Sequence, residues 1–450
     1  MVLENESKKL FLLKDEKVSK ALIKLGVPTM VGMLIAALYN VVDTYFVAQL
    51  GIAQMGAVSI VFPLGTIMTG IALLFGSGAS SYLSRLLGNK QYKEANHCAS
   101  TALISSLFTG GICILFVLLF MTPILKSLGA TPTILPYARQ YGYVFIISLL
   151  FNVFNVTVNN IITSEGASRF SMVAMLIGGL LNAGLDPLMI YGFHMGVMGA
   201  AAATLIANIV STTLYASYMF SKKSVFRISI KNIRIEKKIY IEIFQVGLPI
   251  MVFQILTSVA VGITNFVAAD YGDSVVAAIG IEARVIALGT MAVFGFLKGF
   301  QPFVGYNYGA GRGDRVEQAK KFALKLTSCF CILAAGGIIC FSSNIIEIFS
   351  KNDSVVMKIG QEALILNSIV FITLGFQLVY GTFYLALGKS KQGGILSICR
   401  QGVFFIPLVL LLPGIFGVQG VLFSQPIADV LNVILTGIFA YRINYITQVN

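Results

Sequence analysis

The sequence predicts an all-α polytopic membrane protein of twelve transmembrane helices, and three observations carry that prediction. Of 450 residues, 57% are hydrophobic and 11% charged, and mean hydropathy is +0.85. A soluble chain of ordinary composition carries about 25% charged residues. Apolar runs of about 20 residues, long enough to cross a bilayer as helix, recur along the whole chain. Basic residues gather in the short segments between those runs, the pattern by which membrane proteins record their orientation.

In chain order the first run spans residues 22–48 and follows a charged N-terminal stretch, which does not read as a cleavable signal. Runs at 57–84, 96–124, 137–164, 171–192 and 197–220 complete a first set of six. The stretch GSGASS at 76–81 lies inside the second run and reads as a packing surface, because no Lys-Ser/Thr follows to make a phosphate loop. The basic segment 221–245 then separates this set from runs at 246–270, 277–306, 322–346, 361–386, 395–412 and 421–440. The predicted organisation is therefore an N-terminal six-helix bundle (1–220), a linker (221–245) and a C-terminal six-helix bundle (246–450).

An even number of crossings puts both termini on one side. That side holds 24 of the 32 Lys and Arg residues, counting Lys24 at the start of the first run. The opposite side holds Lys126, Arg139, Lys351 and Lys358, and Arg284, Lys298, Lys325 and Arg400 fall within runs. Both termini are expected in the cytoplasm.

The two sets are copies of one another. LGVPTMV at 25–31 returns as VGLPIMV at 246–252, and Gly51 returns as Gly272. LLG ending at Gly88 returns as NYG ending at Gly309, and GVMG at 196–199 as GVQG at 417–420. All share an offset of 221 residues, the signature of a duplicated unit. Two like-oriented copies are related by an axis along the membrane normal, and in such transporters the substrate site lies between them.

Composition also excludes several functions. The formal charge of +13 is spread over loops in the manner of a lipid-facing topology signal, so no nucleic-acid partner is expected. The six cysteines lie mostly in apolar runs, and His97 and His194 are the only histidines, which leaves no zinc site. No nucleotide motif is present, so neither ATP nor another cofactor is expected to drive the protein.

The acids inside the runs carry the functional signal. Asp43 lies deep in the first run, where a carboxylate costs about 2.5–3.5 kcal/mol on insertion scales. Either it pairs with a neighbouring donor to fix helix packing, or it holds an ion or proton. Its repeat counterpart is Thr264, so the fold does not require an acid there. Asn182 and Asp186 are four residues apart in the fifth run and share one helix face. Pro187 lacks an amide hydrogen and is expected to disturb the helix one turn back, freeing carbonyls. The second copy has Val403 and Pro407 at the matching places. Asn182 and Asp186 either cap and kink that helix or join Asp43 in a cation site, with Na⁺ as one candidate occupant. Glu282 and Lys298 lie in the eighth run, sixteen residues or about 24 Å apart, too far to pair within it. Glu282 is placed near the outer mouth, and Lys298 either neutralises an acid elsewhere or reaches inward. Asp429, opposite Asn208 in the repeat, is a further intramembrane acid.

The stretches GVPTMVGMLIAALYNVVDTYFVAQLG, SRLLGNKQYKEA, GFQPFVGYNYGAGRGDRVEQA and RQGVFFIPLVLLLP resemble the multidrug and toxic compound extrusion (MATE) family, and within it the MepA-like branch of Gram-positive bacteria. The resemblance covers nearly the whole chain. It implies two six-helix bundles forming a V-shaped chamber in a bacterial plasma membrane. It also implies a monomer that exports lipophilic, often cationic compounds in exchange for H⁺ or Na⁺ and is not an enzyme. It places the family's cation-site acid on Asp43 and its span-five Asn and Asp on Asn182 and Asp186. Archaeal relatives add positions that fall on Tyr141, Asn155 and Thr204. Relatives more often have neutral residues where this chain has Glu282 and Lys298.

The alternative within the same superfamily is a flippase for a lipid-linked or other amphipathic substrate. Twelve spans and acids in the first bundle favour a cationic cargo. The 33 Phe, 18 Tyr and 15 Met suit flat lipophilic cations, although the sequence does not distinguish those lining a chamber from those facing lipid.

Overall fold

The computed structural model describes residues 10–221, 223–350 and 353–449 and is helical throughout, with no strand among the described residues. Among the described residues, twelve helices are long and apolar enough to cross a membrane. They are α1 (Val18–Ala48), α2 (Ile52–Gly88), α3 (Tyr92–Leu119), α4 (Leu135–Ser164), α5 (Ser168–Gly192) and α6 (Val197–Met219). The second set is α7 (Lys237–Ala269), α8 (Asp273–Gly309), α9 (Gly313–Cys340), α10 (Ser354–Phe371), α11 (Ser390–Phe416) and α12 (Val418–Arg442).

The observed helices run past the apolar stretches at their polar ends. Intrahelical bonding continues beyond the lipid-facing segment, so α2 begins at Ile52 and ends at Gly88 where hydropathy alone suggested 57–84. The tenth span also differs: the apolar run predicts one helix over 361–386, but α10 stops at Phe371 and a second helix, Leu374–Ala386, resumes after Ile372 and Thr373. α10 starts where Asp353 caps it, accepting from the amides of Val355 and Val356. The Ser274 hydroxyl and those two amides hold the Asp353 carboxyl below its ordinary range. Pro187 corrects another expectation. The helix is regular up to Pro187, and the irregularity follows it as a π-helical turn, Leu188–Gly192. The corresponding helix α11 carries a π-helical turn of its own at Cys399–Phe405.

The repeat read from the sequence is also a repeat of packing. In the first set α2 packs on α3 and α4, α4 on α3 and α6, α5 on α1 and α6; in the second the same pairs recur six helices later. The backbone turns recur as well: φ is +132° at Gly51 and +105° at Gly272, +59° at Lys90 and +69° at Gly311, +57° at Gly196 and +61° at Gly417.

A symmetric pair of contacts, α1 against α8 and α2 against α7, joins the bundles together with a third between α2 and α8. These contacts are made by glycines that let backbones touch. A methyl group added at Gly247 would sit 1.8 Å from the Leu74 carbonyl, and one at Gly78 2.3 Å from the Ile243 carbonyl. Gly295 and Gly299 press in the same way on Met30 and on Leu25 with Gly26. At the helix ends Gly88 meets Tyr306 and Gly309 meets Arg85. Hydrogen bonds reinforce this end: Ser81 donates to the Leu385 carbonyl at 2.7 Å and Arg85 to Glu242 at 2.7 Å. The segment before α1 is tied in too, with Asn307 donating to the Leu13 carbonyl and Arg315 to the Glu16 carbonyl. Toward the Gly51 and Gly272 ends, glycines of α7 and α8 such as Gly262 and Gly280 have open space around them. The bundles are held together through the halves of α2 and α8 nearer Gly88 and Gly309, their closed end.

Candidate cation site in the first bundle

The site is built where α1, α5 and α6 meet. Gly32 and Gly179 admit α5 against α1, with Tyr39 and Ile35 filling the space over Gly179. Gly178 does the same between α5 and α6, leaving only 2.2 Å between an added methyl and the Ser211 hydroxyl. These approaches bring Asp43, Asn182, Asp186 and Thr204 into one neighbourhood.

Asn182 is the organiser. Its amide nitrogen reaches Asp186 Oδ1 and Thr204 Oγ1, each at 3.4 Å, and Thr204 itself donates to the Ala200 carbonyl at 3.1 Å. Three oxygens in this group are then buried without a partner: Asp43 Oδ1, Asn182 Oδ1 and Asp186 Oδ2. An unsatisfied buried acceptor costs about 1–3 kcal/mol, and no donor is supplied to offset it. Asp43 and Tyr141 lie in the same neighbourhood as Asp186.

Oxygen acceptors without donors fit a small hard cation or a proton. The donor set is two carboxylates, an amide and flanking hydroxyls; among the described residues no group of three His, Cys, Asp or Glu side chains could hold a metal. Asp43, Asn182 and Asp186 would hold the ion, with Tyr141 and Thr204 beside them.

The remaining sequence-derived candidates lie elsewhere. Asn155 is buried but satisfied, donating to the Asn208 carbonyl at 3.0 Å and accepting from Thr212 at 2.8 Å, so it ties α4 to α6. Asp429 is held by Arg400 through two hydrogen bonds, 2.6 and 3.2 Å, in a buried pair between α11 and α12. Glu282 is buried in α8 of the second bundle, apart from the three-oxygen cluster. Lys298 reaches across to the first bundle, where its Nζ donates to the side-chain amide oxygen of Asn159 of α4, so of its two expected roles the neutralising of an acid is not seen here.

Sequence reasoning missed Tyr39. It lies one turn before Asp43 on the same face of α1 and feels the charge of both Asp43 and Asp186. The four-residue spacing from Asp43 was the available signal.

Fold and site together define a polytopic membrane transporter made of two copies of a six-helix unit. The family model described as MatE matches residues 28–188 and 249–411, one match in each copy, and the chain belongs to that family. It is 29% identical over 445 residues to the multidrug export protein MepA of Staphylococcus saprophyticus, covering 97% of this chain and 96% of that protein. A crystal structure of a MATE protein in complex with MaL6 superimposes with a TM-score of 0.93 at 26% identity, covering 98% of this chain and 99% of the other. The outward-facing conformation of a multidrug resistance MATE family transporter gives a TM-score of 0.92, again at 26% identity and the same coverage.

Proposed function

We propose that this protein exports lipophilic, often cationic compounds across the plasma membrane in exchange for H⁺ or Na⁺. The observation that carries the proposal is the set of three unpartnered buried oxygens on Asp43, Asn182 and Asp186. They are a standing cost to the fold unless a cation offsets it in part of the cycle. The named activity of the MepA relative and the multidrug resistance title of the structural neighbour support the cargo class. The charge asymmetry supports cytoplasmic termini, which makes the closed end cytoplasmic. The protein works as a monomer with the bundle boundaries read from the repeat.

The cycle follows from these parts. Cargo enters from the cytoplasm when the closed end opens, the bundles rock, and cation binding in the first bundle from outside favours release. Cation and cargo must prefer different states, since a ligand with equal affinity for both shifts nothing. Each inward positive charge also draws about 2.3 kcal/mol per 100 mV from the membrane potential.

The test is uptake of a fluorescent lipophilic cation into inside-out proteoliposomes, driven separately by an outwardly directed H⁺ or Na⁺ gradient. One gradient is expected to drive uptake, and Asp43→Asn to abolish it while retaining dye binding. Equal uptake by Asp43→Asn would overturn the assignment.

A further inference from the structure

We infer that Lys298 and Asn159 form a joint through which the cation site of the first bundle acts on the second; the inference rests on the transport reading above. Lys298 of α8 crosses the interface to donate to Asn159 Oδ1. The Asn159 amide nitrogen donates in turn to Tyr215 Oη of α6 at 2.7 Å and to Ser171 Oγ of α5 at 2.5 Å. Tyr215 passes its own hydrogen to the Ser171 carbonyl at 3.4 Å. Every donor in this chain points one way, from the second bundle into α5 and α6. Asn159, Ser171 and Tyr215 are buried, so the amide cannot turn without leaving a donor unsatisfied.

Of the helices holding this joint, α5 and α6 also border the cation site and α4 carries Tyr141 beside it, and helical spacing puts both on the same faces. Ser171 and Asn182 are eleven residues apart on α5, and Thr204 and Tyr215 eleven apart on α6. Eleven residues are about three turns, so each pair shares one face roughly 16 Å apart. Tyr141 and Asn159 are eighteen apart on α4, about five turns and again one face. A shift of α5 against α6 around a bound cation therefore reaches Ser171 and Tyr215, reorients Asn159 and changes its hold on Lys298. Lys298 acts as a positioning residue through Asn159.

The experiment measures tetraphenylphosphonium affinity of the purified full-length protein with and without a saturating concentration of the driving ion, H⁺ or Na⁺. In wild type the ion is expected to weaken that affinity at least tenfold. Lys298→Gln is expected to keep the ion-free affinity within about threefold and to shrink the ion effect below threefold. Lys298→Arg should restore most of the effect, and Tyr215→Phe, which keeps the ring packing, should reduce it partly. Wild-type ion sensitivity in Lys298→Gln would overturn the joint, as would parallel loss of affinity in Lys298→Gln and Lys298→Arg. If neither gradient drives uptake by wild type, the transport reading fails and the joint with it; if a gradient drives uptake but the ion leaves wild-type affinity unchanged, the joint alone fails.

Discussion

Arg85 of α2 and Glu242 of α7 form a 2.7 Å salt bridge that ties the two bundles together at their closed end. Arg85 also lies over the Tyr82 ring at 5.3 Å, and the pair borders a polar cavity of about 500 Å³ with Lys238 and Tyr308. The side chains are 16% and 27% exposed, so water screens the pair only in part.

A partly exposed ion pair of this kind contributes about 1 kcal/mol, roughly a fivefold bias toward closure. Glu242→Gln should therefore raise the population open at this end about fivefold. Pulsed dipolar distances between spin labels at Lys90 and Lys237 would lengthen accordingly, and an unchanged distribution would remove the pair from the gate.

The glycine contacts predict a sharper contrast within one helix. Gly247→Ala places a methyl group against the Leu74 backbone, where nothing can rotate away. Overpacking of this kind costs about 1–3 kcal/mol, and detergent melting should show it. Gly262→Ala, fifteen residues along the same helix, meets open space and should leave the melting temperature unchanged or slightly higher.

Two asparagines of the first bundle should separate by mechanism. Asn182→Ala removes an unpartnered oxygen and the tether between Asp186 and Thr204, and should weaken the driving ion at least tenfold in titrations of ion-driven uptake. Asn155→Ala breaks a satisfied tie between α4 and α6. It should lower stability by about 1–3 kcal/mol and leave the ion affinity of the remaining folded protein near wild type.

Asp429 should behave as half of a structural pair. Asp429→Asn leaves the largely buried Arg400 without its counter-charge, a loss of up to about 3 kcal/mol, the lower end for buried pairs. The double variant Arg400→Met, Asp429→Leu should recover most of the melting temperature. Ion-driven uptake by that double variant would show that the pair holds α11 on α12 and is not needed for coupling.

Much of this site was legible because its members are local. Asn182 and Asp186 declare themselves by four-residue spacing, and Asp43 by being charged in an apolar run. Tyr39 was open to the same argument. The Asp429–Arg400 pair was less accessible, because the two residues are 29 apart and on different helices. Lys298 gave a charge in a run but no hint that its acceptor is Asn159, 139 residues away.

The sequence by itself determined the membrane class, the twelve crossings, the duplication and which acids lie within apolar runs. Hydropathy, charge placement and a fixed offset are one-dimensional properties, so reading along the chain suffices. Only the tertiary structure decided which oxygens remain without donors, which charges find partners and which end of the V is closed. Those depend on how closely helices approach, to within an ångström. Glycines such as Gly247 and Gly299 permit that approach without announcing its partner.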